Sequence, residues 1–150
     1  MKRDKFRVVI KGLIVDSSGK VLIGRKEESD VHPVSGQFHI IGGHLEKGET
    51  PEECLAREIK EEAGIDVDVK NVIEVRAFQW TNEGGLTDSL QLLYFCEKKD
   101  GNAEASSDLE EIKWVRPENL QEQLGEVEAE RFMKSDKQQS FVQKLISENS

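Results

Sequence analysis

The sequence predicts an α/β (α+β) fold, a mixed β-sheet with helices on its faces, built as one domain over residues 1–150. Three observations carry this. Runs rich in β-branched and aromatic residues lie on both sides of one strongly signalled helix. Clusters of Gly, Asp, Asn and Ser separate those runs. No repeat, low-complexity block or linker interrupts the 150 residues, a length that has room for one ordinary core.

The elements follow in order. Phe6 to Val15 is a strand, Asp16-Ser-Ser-Gly19 supplies turn residues, and Lys20 to Gly24 resumes an apolar run, so the chain opens on a hairpin. Glu27 to Gln37 contains Pro33 and Gly36 without any period and is a surface loop leading into a short strand, Phe38 to Ile41. Thr50-Pro51-Glu52-Glu53 combines a capping hydroxyl, a proline at the first helical position and a glutamate three residues after the cap. The helix that starts there buries Leu55, Ile59 and Ala63 as a stripe and stops at Gly64, over about Pro51 to Ala63. Val67 to Trp80 and Leu90 to Lys98 are two long strands joined by a loop around Asn82-Glu-Gly-Gly85. Ile112 to Val115 is a last strand, Pro117 starts a short helix through Leu120, and the pattern from Glu126 onward is helical.

Composition excludes several functions. The hydrophobic fraction is 36%, the charged fraction 34%, and no apolar run approaches the roughly 20 residues of a spanning helix, so no membrane role is expected and the chain is placed in the cytoplasm. With 21 Lys and Arg against 30 Asp and Glu the net charge is −9, a field that repels polymeric nucleic acid. Small anionic substrates stay open, because a few local cations or a divalent metal reverse the field inside one cleft. Cys54 and Cys96 sit far apart in apolar-periodic segments and read as small core residues.

The chemistry gathers between Gly42 and Ile65. On the predicted helix Glu58, Glu61 and Glu62 lie at i, i+3 and i+4, crowding three carboxylates onto one face. Glutamates on a helix are ordinarily a solvated face, but a repelling cluster aimed at one place also suits a hard divalent cation, Mg²⁺ first and Mn²⁺ second. Gly42-Gly43 and Gly48 suit a loop able to adopt positive φ, which would bring the Gly42 carbonyl and Gly43 backbone to a metal or phosphate, with His44 beside them. Arg57 has a fork of donors suited to a carboxylate, and Glu49 is the candidate that would pin the loop to the helix, both as structural support.

Gly43, five residues, Glu49, seven residues, then Arg57-Glu-Ile-x-Glu-Glu-x-Gly-Ile65 matches every defined position of the Nudix box. The sequence thus resembles a Nudix hydrolase of the MutT-like kind, and the flanking hairpin, the two strands and Trp114-Val-x-Pro-Glu-x-Leu120 look like that family. The resemblance implies a mixed sheet sandwiched between helices and cleavage of a nucleoside diphosphate linked to another moiety X, nucleoside triphosphates among the options. By the same resemblance Glu58, Glu61 and Glu62 would hold the metal with the Gly42 carbonyl, and Glu58, or else Glu61, would be the general base. Asp108, six residues before Trp114, stands where the family often places another acid and is a candidate further ligand, with an exposed loop acid as the alternative. Arg25 resembles a recurrent phosphate-contacting position, and Arg76 is a weaker candidate of that kind.

Ile41 stands where many members carry Pro, and the markers of the ADP-ribose and diadenosine polyphosphate types are missing at Trp80 and Thr81. The moiety X is therefore left to the loops Glu27 to Gln37 and Thr81 to Ser89. Phe78 and Trp80 share a strand face and suit either a base stack or the core, with the core favoured for Phe78. His39 on its short strand reads as structural, and His32, His39 and His44 lack metal-ligand spacing. The competing functions are a nucleotide-sensing module without turnover, which would be expected to lose box carboxylates, and an isomerase, which would need a placed cysteine. A homodimer is the prior expectation for assembly.

Overall fold

The computed structural model describes residues 5–26, 36–82, 85–106 and 109–148, without the side chains of residues 80–82. Six strands, β1 (Lys5–Val15), β2 (Val21–Arg25), β3 (Phe38–His44), β4 (Asp66–Asn82), β5 (Gly85–Asp100) and β6 (Glu111–Val115), form one mixed sheet in the order β4-β5-β1-β3-β2-β6. The helices are α1 (Pro51–Ala63), a short α2 (Leu120–Gln123) entered through a 3-10 turn at Pro117–Asn119, α3 (Glu126–Met133) and α4 (Asp136–Glu148).

Side-chain alternation along the central strands explains the layering. In β1, Ile10 and Ile14 turn to one face and meet Cys54, Leu55 and Ile59 of α1. Leu13 and Val15 turn to the other and meet Phe132, Val142 and Leu145 of α3 and α4. The α1 start carries both halves of its capping box, Glu53 N donating to Thr50 Oγ1 and Thr50 N to Glu53 Oε1, and Gly64 closes the helix at φ 72°. Cys54 and Cys96 are both buried free thiols in the α1-side core. Among the described residues no helix is long and apolar enough to cross a membrane.

Three expectations change. The opening hairpin keeps its turn, with Asp16 Oδ1 accepting from Ser18 N and Lys20 N, but β1 and β2 meet at one pair, Val15 and Val21. They splay because β3 inserts between them and takes the ladder of each. The loop expected over Thr81 to Ser89 is strand on both sides, Asn82 pairing with Gly85, because β5 runs parallel to β1 from Thr87 while still pairing with β4. The polar stretch after Glu126 is two helices, separated where Ser135 Oγ accepts from Gln138 N and donates to the buried Glu74 carboxylate.

A buried charge pair ties α3 to the sheet. Glu128, 4% exposed, accepts from Lys11 Nζ at 3.1 Å and from Ile40 N at 3.0 Å, and Arg131 Nη1 lies 3.3 Å away. Burial alone would raise the Glu128 carboxyl, but Lys11, the Ile40 N–H and Arg131 outweigh it and hold its pKa at about 2. A folded-state value below the ordinary 4.5 means that this residue stabilises the fold above pH 4.5 and that the contribution is lost as pH falls towards 2. Acid unfolding of Glu128→Gln should therefore depend less steeply on pH across that window, and a slope equal to that of the unmodified protein would contradict the pairing.

Candidate active site

A cavity of about 310 Å³ opens where β1, β3 and β5 meet α1 and α3. Gly42, Gly43, His44, Glu58 and Glu62 all line it. Gly42 and Gly43 are not loop residues of positive φ, as the sequence suggested: they are ladder residues of β3, paired with Lys11 and Ile10. Their lack of a Cβ has a different cause. At Gly43 a Cβ would fall 2.2 Å from the Glu58 carboxyl carbon, and at Gly42 it would fall 2.1 Å from the Ile10 carbonyl oxygen and 2.8 Å from Lys11 Cγ. Positive φ in this segment belongs to Gly48, at 84°. Gly43→Ala should therefore displace Glu58 and remove most turnover at a modest cost in stability; near-normal kcat with Glu58 in place would contradict this.

Arg57 organises the carboxylates around the loop. Its Nε and Nη2 donate to the two oxygens of Glu49 at 2.6 and 3.1 Å, while Nη1 donates to Glu58 Oε1 at 3.0 Å and Glu61 Oε2 at 3.2 Å. Glu49 also accepts from Glu46 N, which joins the loop to the helix through one carboxylate. The hydrogen bonds from Arg57 hold the Glu49 carboxyl below the usual range, whereas burial raises that of Glu58 against the pull of Arg57. Glu62 is 4% exposed. Glu61 is 53% exposed and does not line the cavity.

The cations differ from expectation. Arg25 lies outside the cavity lining: its Nη1 and Nη2 pair with Glu110 at 2.7 Å and Glu111 at 3.2 Å, acids at the start of β6 that draw it along the sheet edge. Its neighbour Lys26 lines the cavity instead, with Arg7, Lys11 and Arg131. Arg7 Nη1 lies 3.3 Å from His44 Nε2, and burial, followed by Arg7, lowers the His44 pKa. Arg76 donates to the Arg131 carbonyl oxygen and does not line the cavity. Phe78 is half-buried at the cavity wall rather than in either core. His39, 3% exposed, also lines the cavity; its Nδ1 donates to the Ile40 carbonyl oxygen, and burial lowers its pKa to about 4. Asp108, His32 and most of the loop from Glu27 lie outside the described residues.

Sequence reasoning missed Lys11, Ser89, Gln91 and Arg131. The available signal was alternation: Ser89 and Gln91 are polar at the strand parity that buries Leu93, and Lys11 is charged at the parity that buries Leu13.

Among the described residues, no three His, Cys, Asp or Glu side chains stand close enough to enclose a cation as they lie. The donor chemistry nonetheless fits a hard divalent ion. Glu58 and Glu62 present carboxylate oxygens to the same cavity as the Gly42 and Gly43 backbone, and the absent Cβ of Gly43 leaves the Glu58 carboxylate its place there.

The NUDIX domain family model matches residues 5–135, a span that contains the whole cavity. The chain belongs to the Nudix family. Over 126 residues it is 31% identical to a MutT-like protein of Streptomyces ambofaciens, covering 84% of this chain and 74% of that one. It is 30% identical over 115 residues to the nucleoside triphosphatase NudI of an Enterobacter species, covering 71% and 80%. The crystal structure of a MutT protein from Methanosarcina mazei Go1 superposes with a TM-score of 0.72 at 19% identity, covering 100% of this chain and 99% of the other, a likeness of fold. As a Nudix hydrolase the chain is an enzyme of the diphosphate-cleaving kind, and its mixed sheet between helices is the fold of that MutT neighbour.

Proposed function

We propose that this Nudix hydrolase cleaves a nucleoside diphosphate linked to a moiety X, with Mg²⁺ or Mn²⁺ as cofactor, and that residues 1–150 form one Nudix domain. The observation that carries the reading is the meeting of Glu58 and Glu62 with four cationic side chains around one cavity in a chain of net charge −9. Such a cleft draws in a polyphosphate against the long-range field.

Glu58, Glu62 and the Gly42 carbonyl would hold the cation, with Glu61 able to join if it leaves Arg57. The bound ion would lower the pKa of a water and offset charge on the diphosphate. Glu58 Oε1 is held by Arg57 Nη1, which leaves Oε2 to take the proton of an attacking water. Lys26 and Arg7 would orient phosphate oxygens at the mouth, and Gly43 N–H and His44 are further contacts beside them. Arg57 and Glu49 keep the loop against α1 and touch no reacting atom in this scheme.

The test is a phosphate and pyrophosphate release screen over nucleoside triphosphates, ADP-ribose, sugar nucleotides, dinucleoside polyphosphates and isopentenyl diphosphate, with Mg²⁺, Mn²⁺ and EDTA arms. Metal-dependent cleavage of one nucleotide class is the expected result. Tight nucleotide binding without cleavage across the panel would overturn the reading in favour of a sensing module.

A further inference from the structure

The two faces of the sheet are covered unequally. Phe132, Val142 and Leu145 of α3 and α4 close over the face of Leu13 and Leu93, whereas among the described residues α1 is the only helix packed on the opposite face. A helix about 11 Å across covers roughly two strand spacings of about 4.8 Å, and this sheet has six strands. The ladder shows what is left over. Val75, Leu92 and Ile10 stand in one row across β4, β5 and β1, Ala77, Leu90 and Val8 form the next, and Gln79, Asp88 and Phe6 the one after. Ile10 and Leu92 pack in the α1-side core, and the rows advance by two residues, so all three turn to that face. Away from Ile10 they emerge from under the helix. Phe6 is 69% and Val75 53% exposed, and Val72, opposite the core residue Tyr94, is 47% exposed. Three of the four exposed large hydrophobic side chains among the described residues therefore share this face, Met133 being the fourth.

We propose that this face is where two copies of the chain pack together, sheet against sheet about a two-fold axis. An apolar patch of this kind in a chain that is 34% charged marks an interaction surface, and charge decides its occupant. The one charged side chain in the three rows, Asp88, is already held by Gln79 Nε2 at 2.6 Å. The rows thus offer nothing for the charges of a foreign partner to match. Two copies of net charge −9 repel each other, and a neutral patch is where they approach at least cost. A two-fold contact uses that same patch on both sides, so each neutral row meets another. From Val75 to Asn82 the pairing of β4 with β5 carries no bulge, which keeps the face regular enough to lie against its copy. Phe78, Ser89 and Gln91 stand at the intervening positions and line the cavity on the other face, so the dimer leaves the cavity open and does not depend on what is cleaved there.

Sedimentation equilibrium of the full chain tests this, and a dimer at micromolar concentration is the expected result. Val75→Lys and Ala77→Lys, each at an exposed position away from the cavity, should yield monomers with unchanged far-UV circular dichroism. Gln143→Lys, an exposed position on α4, adds the same charge elsewhere and should stay dimeric. Val75→Ser, which adds no charge and removes apolar contact twice over in a two-fold interface, should raise the dimer dissociation constant at least about tenfold. An unmodified chain that is monomeric at about 100 µM would leave the face to a different occupant and overturn the proposal. A dimer that survives both lysine substitutions at β4, or one lost equally in Gln143→Lys, would overturn it as well.

Discussion

Glu58→Gln should lower kcat/KM by about 10²- to 10⁴-fold on whichever substrate the screen identifies. The substitution keeps the shape of a side chain that is 16% exposed and removes the charge that serves both proton transfer and metal binding in the proposed scheme. Arg57 would keep both bonds to Glu49, so the loop stays pinned and the melting temperature should move by no more than about 2 °C. Steady-state kinetics with a thermal melt in parallel decides the matter. A kcat/KM within about threefold of the unmodified enzyme would remove Glu58 from the chemistry.

The second large effect falls on stability. Glu128→Leu strands the Lys11 ammonium, a side chain 10% exposed, and leaves the Ile40 N–H without its acceptor. Breaking a buried pair from one side costs about 3–5 kcal/mol, a fall of on the order of 10 °C in melting temperature for a chain of this size. The double variant Lys11→Met with Glu128→Leu removes both charges and should recover most of that loss. Urea melts of the two single variants and the double close the cycle. Single-variant costs that simply add, within about 0.5 kcal/mol, would show that the two side chains do not act as a pair.

What could be read in advance follows from the range of each interaction. Local signals were legible: the capping box of α1, Gly64 as its left-handed stop, and the turn at Asp16 each depend on a handful of adjacent residues. The family fold followed from the spaced pattern between Gly43 and Ile65. Strand order was not legible, because nothing in β3 states that it will part β1 from β2. The destination of Arg25 hinged on acids some 85 residues away, at Glu110 and Glu111. The α3 side of the cavity was hidden for the same reason: the partner of Lys11 is Glu128, a glutamate of a distant helix that nothing near Lys11 in the sequence announces. The reason for glycine at positions 42 and 43 was misread because sequence cannot tell a glycine chosen for its φ from one chosen for its missing Cβ.

That neighbouring pair also sets what variation the site can tolerate. Gly42 and Gly43 alternate across β3, so one makes way for Lys11 and the other for Glu58, and a single dipeptide serves both walls of the cavity. The two positions should behave differently in a library. The obstacle at Gly43 is the end of a flexible side chain, so an alanine there is open to rescue by a shorter acid, Glu58→Asp. At Gly42 the obstacle is the backbone of β1, which no partner substitution can shorten, and glycine should return at that position in every functional clone.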